Sequence, residues 1–147
     1  MKNTSTSEPL VQARENFIRQ WGAMGSNWGI NRTMAQVHAL LMISAEPLDT
    51  NAIMEELRIS RGNANTNLRD LVGWGLIRSY FLAGDRKEYF EAEKDVWKMF
   101  CAISRERKRR EIEPALALLQ QCAAATSSDR SEEAIAFHDM MESLADF

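Results

Sequence analysis

The chain has 147 residues, 45% of them hydrophobic and 27% charged, with 18 Lys and Arg against 21 Asp and Glu for a formal charge of −3. A chain of this size can bury roughly two-thirds of its unfolded surface, so it needs no disulfide or metal staple. Seven Gly and three Pro exclude a linker-rich or collagen-like chain, and no apolar run approaches the roughly 20 residues that cross a bilayer.

The polar stretch 1–8 carries no apolar segment of the kind a secretory signal needs, so it is expected to be a disordered start in a cytoplasmic protein. Ser7-Glu8-Pro9 reads as an N-cap with Pro in the first turn, opening a helix over 9–24 on which Leu10, Phe17, Ile18 and Trp21 recur at helical spacing. Gly25 to Ile30 is expected to break it. Asn31 then caps a second helix with Met34, Val37, His38, Leu41 and Met42 on one stripe, ended by Glu46-Pro47. Asp49 or Thr50 caps a short third helix with Ile53, Met54 and Leu57 inward, and Arg58-Ile59 turns the chain. Ser60 caps a fourth helix that keeps Ala64, Leu68, Leu71 and Val72 on one side until Gly75 stops it.

After Gly75 the period drops towards two. Leu76 to Leu82 and Lys87 to Ala92 read as the strands of a hairpin around Ala83-Gly84-Asp85-Arg86. Asp95 opens a long helical pattern that runs to about Ala124, in which Pro114 is expected to cause a kink or a restart. Ser131 to Ala145 is a last amphipathic helix. Cys101 and Cys122 lie on one helical pattern, too far apart to bridge, and are read as reduced core thiols. His38 and His138 have no second His or Cys at ligand spacing, so neither a metal nor another cofactor is expected. His38, on an apolar stripe, reads as a core histidine.

Charge is unevenly spread. From Arg58 to Arg110 there are 13 basic against seven acidic residues, whereas the rest of the chain is strongly acidic. A compact basic segment in an acidic protein is the footprint of a polyanion partner, double-stranded DNA above all. The order of elements from Asp49 to Ala92 agrees: short helix, turn, capped helix and hairpin make a winged helix-turn-helix, in which the second helix projects into a major groove. At 100° per residue, the outer arc of that helix holds Gly62, Asn63, Thr66 and Arg69, with Asn65 and Asn67 on its flanks. Amides, Arg and Thr are the side chains that read base edges, and three Asn in one helix are poor choices for stability alone. The candidate DNA contacts are therefore Ser60, Arg61, Gly62, Asn63, Asn65, Thr66, Asn67 and Arg69, with Arg78, Arg86 and Lys87 on the hairpin. The basic run Arg105 to Arg110 reads mainly as a solvated helix face.

Several short motifs now stand in order: Met24-Gly-Ser26, Ser60-Arg-Gly-Asn63, Asn67-Leu-Arg-Asp-Leu71, Trp74-Gly-Leu-Ile77, Gly84-Asp-Arg-Lys87, Tyr89, Asp95-Val-Trp97 and Glu113-Pro114. From about Phe17 to Leu118 this resembles the GbsR-type branch of the MarR transcriptional regulators. Ala64 and Asn65 depart from the Val and Ser more usual in similar proteins, which should alter the operator sequence and not the fold. The resemblance implies a homodimeric regulator that binds a pseudo-palindromic operator and usually represses. The long helices support a dimer independently, because Leu116, Leu118, Leu119 and Cys122 prolong an apolar face that one domain of this length cannot cover.

The expected fold is thus mainly α: a single winged-helix domain over 9–147, with a DNA-binding core at 31–93, a two-stranded wing, and dimerisation helices at 9–24 and 95–147. Some similar proteins respond to choline or glycine betaine, and a quaternary ammonium wants an aromatic cage. Trp21, Trp28, Trp97 and Phe100 are the candidate effector residues. Two other classes were weighed. An enzyme lacks support, since there is no Gly-rich phosphate loop, activated nucleophile or metal set. A winged helix serving as a protein-interaction module, without sequence-specific DNA binding, is the alternative, and neither reading calls for a membrane.

Overall fold

The computed structural model describes residues 7–147. The start expected to be disordered lies outside the described residues up to position 6, while Ser7 and Glu8 already take part in the first helix. The chain divides into two compact units, one ending at Ala102 and the other running from Ile103 to Phe147.

In the first unit, α1 spans Glu8–Asn27, with Ser7 Oγ accepting the Leu10 N–H and Pro9 in the first turn. It does not stop at Gly25 as expected. A Cβ added at Gly25 would fall 2.5 Å from the Ala35 Cβ, and one at Gly22 2.7 Å from the Gln36 Cγ. Both glycines therefore permit a close crossing onto α2 (Arg32–Ile43), and the helix ends only where Gly29 adopts a φ of 80°. The side chain of Asn31 caps α2 by accepting the Met34 N–H at 2.7 Å. Seven residues of α2 are buried, Met34, Ala35, Val37, His38, Ala39, Leu40 and Leu41, which makes it the central helix. Its far end is closed by Lys94, whose Nζ donates to the carbonyls of Leu41, Met42 and Ser44 at 2.7, 2.8 and 2.9 Å.

A strand absent from the sequence reading, β1 (Leu48–Asp49), comes next. Two residues are too few to show alternation. It is followed by α3 (Thr50–Leu57), capped by Asp49, and α4 (Arg61–Trp74), capped by Ser60 and closed by Gly75 at a φ of 76°. Between them Arg58 takes the left-handed conformation, φ 53°, at the end of α3. Then β2 (Ile77–Phe81) and β3 (Glu88–Ala92) pair antiparallel, with Ile77 opposite Ala92 and Phe81 opposite Glu88. The expected two-stranded hairpin is present as β2 and β3, and β1 joins the other side of β3, pairing Leu48 with Phe90 and Asp49 with Tyr89, to make a three-stranded sheet in the order β1-β3-β2. Ala64, Leu68 and Leu71 of α4 meet Val37, Leu40, Leu41, Ile53, Leu76 and Phe90 in a fully buried core. Val72 is only half-buried, and Trp74 takes the inward place instead.

Asp95 caps α5 (Val96–Arg107), accepting the N–H groups of Trp97 and Lys98. The second unit begins within that helix. Residues Lys108–Ile112 form a π turn before α6 (Glu113–Thr126), and the Glu113 N–H returns to the carbonyl of Lys108, five residues back. The reason is Pro114. Its nitrogen has no proton to give, and in a continued α register its ring would press on the carbonyl four residues earlier, so the wider turn relieves the clash. Ser131 then caps α7 (Glu132–Asp146). Between α6 and α7, His138 Nδ1 sits 2.7 Å from the Ala123 carbonyl and 3.2 Å from Thr126 Oγ1. Ala123 is the one buried residue among those described from 103 onwards, while Leu118 and Met140 are 58% and 57% exposed.

Candidate nucleic-acid interface

The fourth helix presents its first turns to solvent. Ser60 accepts the Asn63 N–H at 3.1 Å, and Arg61, Gly62, Asn63, Asn65 and Thr66 are all exposed. Arg61 reaches across to the side-chain oxygen of Asn51 on α3, which ties the two helices at their outer ends. A Cβ at Gly62 would meet nothing within 4 Å, so neither packing nor backbone angle demands glycine there.

Asn67 is a correction. Expected on the flank of the reading arc, it is 3% exposed and lies on the inner side of α4. The outward rotation inferred for it ignored a polar contact between helices. Its Nδ2 donates to the carbonyl and the side-chain oxygen of Asn63 at 2.9 and 2.8 Å, and its Oδ1 accepts from Asn31 Nδ2 at 3.0 Å. Both ends of the amide are thus used, which is what allows a polar group to be buried there.

Arg69 and Arg78 are exposed as expected, and both are paired within the protein. The Arg69 guanidinium makes two parallel bonds to the Glu88 carboxylate, at 2.9 and 2.6 Å, and lies over the Phe90 ring. Arg78 donates to Glu91 at 2.7 Å and to Glu93 at 3.4 Å. Pairing of this kind fixes where the guanidinium sits, while the Arg69 and Arg78 side chains stay 56% and 58% exposed. It also holds the Glu88 carboxyl below the usual carboxylate range, chiefly through the Arg69 hydrogen bond. In the structure Arg69 braces α4 on β3, and Arg78 braces β2 on β3.

The wing tip remains open. Asp85 organises it, accepting the Lys87 N–H at 2.9 Å and the Tyr89 hydroxyl at 2.8 Å, and those bonds pull its carboxyl down. Lys87 Nζ is 3.5 Å from Asp49, and the exposed Arg86 makes no ion pair among the described residues. Further along, Glu106 holds Arg109 and Arg110, and Glu111 holds Arg107, which makes the basic run a self-paired helix face.

The four candidate effector aromatics form two separate pairs. Trp21 meets Trp28 edge-on at 5.8 Å, and Trp97 stacks on Phe100 at 5.6 Å with the rings 70% and 58% exposed. A groove of about 930 Å³ in the first unit is lined by other residues, among them Leu10, Arg14, Ile18, Arg19 and Arg58. His38 is buried with its Nε2 unpartnered, and burial, helped by the nearby Lys94 ammonium, lowers its pKa to about 4.

Sequence reasoning found Asn31 as a helix cap but missed its bond to Asn67, and it missed Glu88, Glu91, Lys94 and β1. Only one of these had a local signal: a hairpin centred on 83–86 sets Arg78 opposite Glu91, the cross-strand pair observed. The others depend on contacts between distant segments.

Comparison with known proteins accords with this geometry. The MarR family matches residues 28–88. The chain is 28% identical over 143 residues to the HTH-type transcriptional repressor GbsR of Bacillus subtilis, covering 91% of this chain and 79% of that one. It is 31% identical over 108 residues to the HTH-type transcriptional regulator MmpR5 of Mycobacterium tuberculosis, covering 73% of this chain and 61% of the relative. A crystal structure described as a transcriptional regulator superimposes with a TM-score of 0.66 at 24% identity, over 91% of each chain, which supports the fold. No helix among the described residues is long and apolar enough to cross a membrane. With its capped helix pair, three-stranded wing and matched motifs, this chain is similar to the MarR family over residues 28–88 and to the repressor GbsR over most of its length.

Proposed function

We propose that the chain is a homodimeric repressor acting in the cytoplasm, which binds a pseudo-palindromic operator with one α4 in each half-site. One observation carries the reading: Arg61, Gly62, Asn63, Asn65 and Thr66 are exposed together at the start of a helix whose other side is sunk in the core. Asn is a poor helix former and Gly costs about 1 kcal/mol in a helix, so a run of them on an open surface needs a reason outside the fold. Contact with base edges and a close-approaching phosphate backbone supplies one. Arg86 and Lys87 then lie on the flanking backbone or in a minor groove.

The dimer rests on the second unit, whose exposed Leu118, Ile135, Phe137, Met140 and Leu144 make an apolar surface that a twin subunit would cover. Twofold pairing would set the two reading helices about 34 Å apart, one duplex turn. The stacked Trp97 and Phe100 give a quaternary ammonium effector, such as glycine betaine, a place to bind by cation–π attraction.

Selection of bound duplexes from a random pool tests the proposal. The expected result is an enriched inverted repeat whose binding weakens steeply with salt and greatly exceeds that of random duplex. Binding of equal strength to any duplex, or none, would overturn it in favour of a protein-interaction module.

A further inference from the structure

The chain of amides behind α4 constrains what Asn63 can recognise. Two backbone groups fix the direction of every amide in it. The Met34 N–H can only donate, so the Asn31 atom 2.7 Å away is the side-chain oxygen, and Asn31 Nδ2 faces Asn67. What receives it there, at 3.0 Å, must be Asn67 Oδ1. From the other end, the Asn63 carbonyl can only accept, so the Asn67 atom 2.9 Å from it is Nδ2, the same orientation. That Nδ2 is also 2.8 Å from the Asn63 amide, which must therefore turn its Oδ1 inward. Reversing any one of the three would set donor against donor or acceptor against acceptor around the buried Asn67.

A trigonal amide whose oxygen points inward carries its nitrogen outward. Asn63, exposed at the start of α4, thus offers its two N–H donors to the exterior, while its oxygen is turned inward with one of its two lone pairs engaged by Asn67. Reading adenine in the major groove requires both, an amide nitrogen for N7 and an amide oxygen for the N6 amino group. With the oxygen turned inward and held by Asn67, the outward-facing part of the amide is its N–H pair, which matches adenine's amino group poorly. Guanine instead shows two adjacent acceptors, N7 and O6, while cytosine shows an amino donor.

We infer that Asn63 reads guanine, through its amide N–H groups alone, and that the buried Asn67 is the positioning residue that imposes this choice. The inference deepens the operator-binding reading above and rests on it.

Duplex selection with the full chain and with Asn63→Ala locates the base pair that depends on Asn63. At that pair guanine should be preferred over adenine by about tenfold. Replacing that guanine with 7-deazaguanine, which lacks the N7 acceptor, should weaken wild-type binding. Asn67→Leu, similar in volume, frees the Asn63 amide to rotate. It should bring guanine and adenine towards parity at that pair while leaving affinity for random duplex in place, with melting and circular dichroism confirming the fold. If Asn67→Leu does not fold, the wild-type guanine-to-adenine ratio and the 7-deazaguanine result decide. Adenine at the Asn63-dependent pair, no pair relaxed by Asn63→Ala, or a folded Asn67→Leu with an unchanged guanine preference would each overturn the assignment while leaving operator binding intact. A pool with no enriched repeat would overturn operator binding and this inference together.

Discussion

The first unit buries Phe90, Leu40, Ile53, Leu68 and Leu71 completely, whereas from residue 103 onwards Ala123 is the one buried side chain among the described residues. Both regions contain regular helices, so the contrast lies in where apolar surface goes. The first region completes its own core. The second keeps Leu118, Ile135, Met140 and Leu144 outside, the apolar area that the proposed twin subunit would cover.

Substitutions can set the two regions against each other. The largest effect is expected from Phe90→Ala, which should cost about 3–5 kcal/mol of the first unit's stability, read from the denaturant midpoint. A loss under about 1 kcal/mol would mean that the sheet is not part of the core. Next comes the pair Leu118→Glu with Met140→Glu. It should leave that midpoint unchanged but turn a dimer into a monomer on sedimentation, with operator affinity falling about 100-fold or more as the second half-site is lost. A double variant that stays dimeric would show that these side chains do not form the twofold contact.

Acid should act on the first unit through His38. The unfolded chain takes up this proton near pH 6.5, the folded chain only near its lowered pKa of about 4. The folded state therefore binds fewer protons in that window, so the contribution is complete above pH 6.5 and is lost as pH falls towards 4. His38→Leu should flatten stability against pH across that range, and an unchanged slope would place the effect elsewhere. The smallest change is expected at Arg69. Its pair with Glu88 is exposed, so Arg69→Ala should cost no more than about 1 kcal/mol of stability. Arg86→Ala, by contrast, should weaken operator and random duplex alike and make the salt slope shallower by about one. Equal DNA behaviour of the two variants would erase the distinction drawn between a braced and an open arginine.

Much of this arrangement was legible in the chain. Ser60 and Gly75 bracket α4, and Ala64, Leu68 and Leu71 mark its inner side, because caps and helical period are local properties. The outward set from Arg61 to Thr66 follows from the same geometry. Asn67 was misplaced since a helical wheel assigns polar residues to solvent and has no view of Asn31, 36 positions earlier. The partner of Arg69 went unseen for a similar reason, since Glu88 is brought to it from β3, whereas Glu91 could be placed opposite Arg78 from the hairpin's centre. The strand β1 is defined by its partner and not by its own two residues.

Lys94 carries one last consequence. Helix α2 is capped locally by Ser44, whose N–H and hydroxyl donate to the carbonyls of Leu41 and Leu40, and it adds an ammonium from just beyond β3, more than 50 positions away for two of the three carbonyls. Its final turn therefore gains these three bonds only once the sheet has closed. The end of α2 and the strand β3 should then open together, as one unit, in amide hydrogen exchange.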